Sequence, residues 1–170
     1  MTSLTQSSAF DFLHGSWAVE HALRRGRLDG TARWDTLHGR AVCAPILAGV
    51  GQLDQIWLPH RMAVGATLRL YDEQADCWRL HWSSSDAARL DPPLEGRFVD
   101  GVGTFFGHDV LRGEPIDVRF TWDDVGPANA RWTQAFAPAG TRRWEPNWIM
   151  RFTRTSYDAA SAATGPLDLT

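Results

Sequence analysis

Ile116-Asp117-Val118-Arg119-Phe120-Thr121-Trp122-Asp123 changes from apolar to polar at every step. Side chains along a strand point alternately to opposite faces, so this stretch reads as a strand with one apolar and one polar row. The flanking sequence repeats the pattern. Cys77 to Ser83 sets Trp78, Leu80 and Trp82 against Arg79, His81 and Ser83. Ala130 to Ala137 carries Trp132, Gln134 and Phe136 on one face. Trp144 to Thr155 is the last long strand, with Pro146 near its start, where a missing N–H is tolerated.

Further strands are expected over residues 17–25, 31–37, 40–47, 51–58, 66–71, 94–100 and 102–109. Asp29-Gly30 and Asp100-Gly101 suit hairpin turns that need positive φ. His38-Gly39 reads as the end of one strand, and Gly49 and Gly51 as a bend or bulge. Residues 5–14 read as a short helical turn, capped by Ser7 or Ser8 and ended by Gly15. No helical period is sustained long enough for an amphipathic helix. Ten or eleven short strands with Gly, Asp and Pro punctuation imply an all-β domain, and an up-and-down barrel closes its own edges. Residues 1–155 are expected to form this single domain, and residues 156–170 a flexible tail.

Composition narrows the functional classes. A chain of 170 residues is long enough to bury a core without disulfides or a metal. Its nineteen aromatics (nine Trp, eight Phe, two Tyr) supply much of the buried area. A net charge of -3 argues against nucleic-acid binding, which needs a clustered basic face. All seventeen basic residues are Arg, so no lysine is present for a Schiff base. Cys43 and Cys77 lack metal-ligand spacing. The first twelve residues lack the pattern of a secretory leader, and no apolar run approaches a membrane span. A cytoplasmic protein with no metal and no cofactor is the expectation.

Two segments carry a family resemblance. Phe10-Asp11-Phe12-Leu13-His14-Gly15-Ser16-Trp17 is similar to the Gly-x-Trp opening of lipocalin-like (calycin) barrels. Trp144-Glu145-Pro146-Asn147-Trp148-Ile149-Met150-Arg151-Phe152-Thr153-Arg154 resembles the closing strand of a bacterial family of unknown function, the DUF1579 group. Residues 67–72 and 131–136 also look like that group. The resemblance implies a short helical plug, a Trp17 packed over the closed end with Arg151 or Arg154 across it, and a pocket. By analogy it also implies an occasional homodimer. It implies no activity.

Alternation alone leaves open which row faces the lumen. With the apolar rows inward, Trp78, Leu80, Trp82, Val118, Phe120, Trp122, Trp132 and Phe136 suit a flat apolar ligand. With the opposite rows inward, Arg69, His81, Arg119, Arg131, Asn147 and Arg151, with Glu145, suit an acidic one. The ligand-binding candidates are therefore Arg69, Trp78, Trp82, Trp122, Trp132, Gln134, Asn147 and Trp148.

The leading expectation is a binder of a small apolar or aromatic, possibly acidic, molecule. An alternative is a cofactor-free cyclase, isomerase or lyase for a polyketide-like or other apolar metabolite. It would use His81 or Glu145 as acid–base group and Arg119 or Arg69 to steady an enolate. A second alternative is a haem-binding barrel using His81 or His21. In each case the plainer reading is packed core for the aromatic rows and solvated surface for the arginine rows.

Overall fold

The computed structural model describes residues 5–158. Ten strands follow one another: β1 (Gly15–Arg24), β2 (Trp34–Ile46), β3 (Gly51–Leu58), β4 (Ala63–Asp72), β5 (Cys77–Ser84), β6 (Leu94–Val99), β7 (Val102–Leu111), β8 (Glu114–Asp123), β9 (Asn129–Pro138) and β10 (Glu145–Ser156). Each pairs antiparallel with its successor, and β1 pairs with β10, so the sheet closes into a barrel without free edges. The closed up-and-down barrel expected from the sequence is the observed architecture. The expected tail at 156–170 lies outside the described residues from 159 onward, and Ser156 still belongs to β10.

The apolar rows face inward. Trp78 and Leu80 on β5, Val118 and Trp122 on β8, and Trp132 and Phe136 on β9 are all buried. The opposite rows carry ion pairs on the outside: Arg79 with Asp72 and Glu95, Arg131 with Asp123, and Arg151 with Glu20. Of the two placements the sequence leaves open, Arg131 and Arg151 take the outward one.

β4 breaks the pattern. Leu68 and Leu70 fall on its outward row, while Thr67 and Arg69 fall on the row with buried Ala63 and Gly65. This inversion delivers a guanidinium to the interior, beside the inward row of β3 that carries Gln52 and Asp54.

Three local readings change. The strands expected at 31–37 and 40–47 are one, β2, running straight through His38-Gly39. Gly39 pairs with Val19, and a Cβ there would lie 2.6 Å from the Trp57 carbonyl oxygen and 2.8 Å from His21 Nε2. This glycine serves a close approach between strands rather than a turn. The helical start is two 3-10 turns, Gln6–Ser8 and Asp11–Leu13, with no side-chain cap from Ser7 or Ser8. The register of β10 against β9 shifts between Pro146 and Trp148, a bulge that buries Asn147 and Trp148 in succession.

Asp100-Gly101 turns as expected, with both φ positive at 50° and 80°. Arg112-Gly113 repeats this geometry between β7 and β8, at 52° and 84°.

The 3-10 turns plug one end of the barrel. Phe10 is fully buried, with its ring centroid 4.9 Å from Phe98, 5.1 Å from Trp78 and 5.5 Å from Phe105. Trp17 donates from Nε1 to the Leu13 carbonyl at 2.8 Å. Arg154 lies 4.0 Å over the Trp17 ring, so Arg154 and not Arg151 crosses the first-strand tryptophan. Its guanidinium also donates to the carbonyls of Phe12, His14 and Pro127, tying plug, β10 and the β8–β9 loop together.

Candidate functional site: the barrel lumen

Above the plug the barrel holds a cavity of about 1020 Å³, open at the opposite end. That size falls at the upper end of small-molecule sites. Its walls come from the inward rows of nearly every strand. A belt of rings runs around them. Phe120 and Trp132 are 4.9 Å apart, Trp132 meets Trp148 edge-on at 5.3 Å, and Trp148 meets Trp82 at 6.5 Å. Leu80, Val118, Met150 and Phe152 fill the gaps between the rings.

His21 holds Trp148 in place. It is fully buried behind the indole, and its Nδ1 accepts the Trp148 N–H at 3.2 Å. Burial is the main cause that lowers its pKa to about 4, and nearby His60 lowers it further. The imidazole is therefore neutral near pH 7, as an accepting Nδ1 requires. The Trp57 carbonyl lies beside Nε2 and raises the pKa slightly, but Nε2 makes no well-formed hydrogen bond.

The blind end is polar. Arg69 donates from Nη2 to Asp54 at 2.5 Å, and Asp54 also accepts the Thr67 N–H at 2.9 Å. The Arg69 guanidinium lies 5.1 Å from the Phe10 ring and 5.8 Å from Trp122. Arg69, Asp54 and Trp122 all line the cavity.

The mouth carries Arg27, His60, Arg61, Arg89 and His108. Arg61 is paired with Asp86 and Arg89 with Asp91. Arg27 lies 5.5 Å over the Phe136 ring, and burial followed by the nearby Arg61 charge lowers its pKa. Burial also lowers the pKa of His60, with Arg61 and Arg27 adding to the effect.

Of the ligand-binding candidates, Arg69, Trp82, Trp122, Trp132, Gln134 and Trp148 line the cavity. Trp78 belongs to the plug, where its N–H donates to the Gln6 carbonyl at 2.8 Å. Asn147 is fully buried outside the cavity lining and accepts from Gln134 at 2.7 Å.

The residues proposed as catalytic sit elsewhere. His81 is on the outward row of β5, opposite Leu68. The Arg119 guanidinium packs 4.8 Å from the Trp144 ring, outside the cavity, and burial lowers its pKa. Glu145 accepts the Leu28 N–H at 2.7 Å and pairs with Arg24 at 3.3 Å. It thereby fastens the loop that carries Arg27 to the rim.

Neither His81 nor His21, the residues considered for haem, lines the cavity; the imidazoles that do are His60 and His108. Among the described residues no group of three His, Cys, Asp or Glu is placed to hold a metal. No helix among them is long and apolar enough to cross a membrane. Asp54 was not anticipated. Its place two residues after Gln52 and two before Ile56 is the alternation that would have found it.

One comparison bears on this geometry. The crystal structure of Rv2717c from M. tuberculosis superposes with a TM-score of 0.56 at 12% identity, covering 91% of this chain and all (100%) of that one. The two share a fold. At that identity the likeness extends to the barrel and no further. No family model and no curated protein matches the chain, so the DUF1579 resemblance of the closing strand assigns no family.

Proposed function

We propose that the protein binds a small, flat, apolar or aromatic molecule inside the barrel. The observation that carries this reading is the cavity of about 1020 Å³ ringed by Trp82, Phe120, Trp132 and Trp148. A monomeric core of this size ordinarily packs to crystal-like density, with few voids larger than a water. A void lined by rings forfeits dispersion contacts that a flat ligand restores. The rings are also braced: the Trp148 indole is pinned by a neutral His21, so its face is presented rather than free to collapse inward. Prearranged walls reduce the entropy lost on binding.

The cyclase, isomerase or lyase reading draws no support from His81, Glu145 or Arg119, none of which lines the lumen.

Filling the lumen tests the proposal. Val118 is buried and lines the cavity midway along β8. Val118→Trp is expected to weaken binding of a fluorescent naphthalene ketone by at least about tenfold, by occupying the space between the rings. The check is a fluorescence titration beside a near-UV circular dichroism spectrum that verifies the fold. Unchanged affinity in a folded variant would place the probe outside the barrel and refute the reading.

A further inference from the structure

The blind end of the lumen has a chemical signature. Among the described residues, two cavity-lining side chains hold buried polar atoms without a hydrogen-bond partner: Arg69, at Nε and Nη1, and Trp122, at Nε1. All three atoms are donors, and neither side chain can accept. The Arg69 guanidinium carbon lies 5.8 Å from the centre of the Trp122 ring. Buried donors without partners are costly and select for an acceptor.

The charge of that acceptor follows from Asp54. Arg69 is already neutralised by it, across a 2.5 Å contact between side chains that are 4% and 14% exposed. A carboxylate added to this pair would leave one uncompensated negative charge beside two largely buried side chains. Such a charge is expelled or protonated rather than kept. A ketone, quinone or amide oxygen accepts the same N–H groups and leaves the site neutral.

We propose that the blind end is a subsite for a neutral carbonyl-type oxygen, received by Arg69 and Trp122, and that Asp54 makes it reject carboxylates. The inference rests on the lumen-binding reading. It names the ligand class as a flat aromatic or apolar molecule with a neutral carbonyl at its inner end. The acidic ligand considered from the sequence is thereby replaced.

The test uses two probes on one ring system: 6-propionyl-2-(dimethylamino)naphthalene, a neutral ketone, and 6-(dimethylamino)-2-naphthoate, its carboxylate counterpart. At neutral pH the ketone is expected to bind at least about tenfold more tightly. Asp54→Asn keeps an acceptor for Arg69 and removes the neutralising charge. It is expected to raise naphthoate affinity by about tenfold or more while moving the ketone by less than about threefold.

A second measurement needs no variant. In the wild-type protein, naphthoate affinity should fall as pH rises from about 6 to about 9, because only the protonated acid leaves the site neutral, while ketone affinity stays level. Naphthoate binding that matches or exceeds the ketone, or that is independent of pH, overturns the subsite. Ketone binding that is unchanged in folded Val118→Trp, or absent from the wild-type protein, overturns the lumen reading itself, and the subsite with it.

Discussion

Arg154→Met is expected to lower the unfolding free energy by about 3 kcal/mol, because charged hydrogen bonds contribute roughly 1.5–3 kcal/mol each and three are lost together. The guanidinium donates to Phe12, His14 and Pro127 while stacking on Trp17. Methionine retains part of the packing and none of the donors. The carbonyls of Phe12 and His14 belong to the plug segment, so the seat of its Phe10 against Trp78, Phe98 and Phe105 loosens as well. Partial exposure and water access limit the loss, which is why the expectation stays well below the sum of the separate bonds. Urea unfolding followed by tryptophan fluorescence reads the change. A midpoint shift within the noise of the wild-type value would mean that the plug holds by its apolar contacts alone.

The second large effect is a pH dependence centred on His21. Its pKa in the folded protein is about 4, against 6.5 for an unperturbed histidine. The unfolded chain takes up a proton as pH drops through 6.5, whereas the folded chain resists until about 4. Within that window the unfolded state binds more protons, so stability falls as pH falls. The contribution is complete above the upper value and is lost by the lower one, amounting to roughly 3 kcal/mol. Protonated His21 can no longer accept the Trp148 N–H, so the aromatic belt loosens with it. His14 and His60 have depressed pKa values for the same reason, burial, and titrate in the same direction. The comparison is therefore between wild type and His21→Gln, which keeps an acceptor and cannot take the proton. Urea midpoints at about pH 7 and about pH 4.5 should diverge strongly in the wild type and much less in the variant. Equal pH profiles would place the titration on other groups.

Alternation made the barrel legible. On β5, β8 and β9 the apolar rows belong to one surface, and period two survives on β8 and on β9 as far as Gln134. Many short strands without a sustained helical period fit a sandwich as well as a barrel, and it is the pairing of β1 with β10 that closes the sheet. The local misreadings have separate physical causes. Gly39 resembles a turn signal, but the approach of Trp57 and His21 from neighbouring strands is what requires it. Asn147 was assigned by strict alternation, and the bulge after Pro146 shifts that register. Trp78 lies on the inward row, yet the plug takes it because Gln6 and Phe10 reach it first.

The site was less legible than the fold. Its aromatic walls follow from pattern, since an inward apolar row reads the same whether it fills a core or lines a cavity. In the sequence Arg69 looks like His81, Arg119, Arg131 and Arg151, a polar residue on the row opposite an apolar one. β4 points Thr67 and Arg69 inward, β3 points Gln52 and Asp54 inward beside them, and what stabilises Arg69 there is Asp54 on that adjacent strand. A pairing across β3 and β4 is a fact of register, and no single-strand pattern contains it.

The central claim is that the lumen holds a flat apolar or aromatic molecule. Native mass spectrometry of the protein purified from its own host, run beside Val118→Trp and beside the denatured protein, tests it most directly, and an absorbance scan of the same samples reads for haem. The account predicts a small-molecule adduct on the wild-type protein that is lost on denaturation and depleted in the variant. An adduct carried equally by both proteins, or by neither, would contradict it.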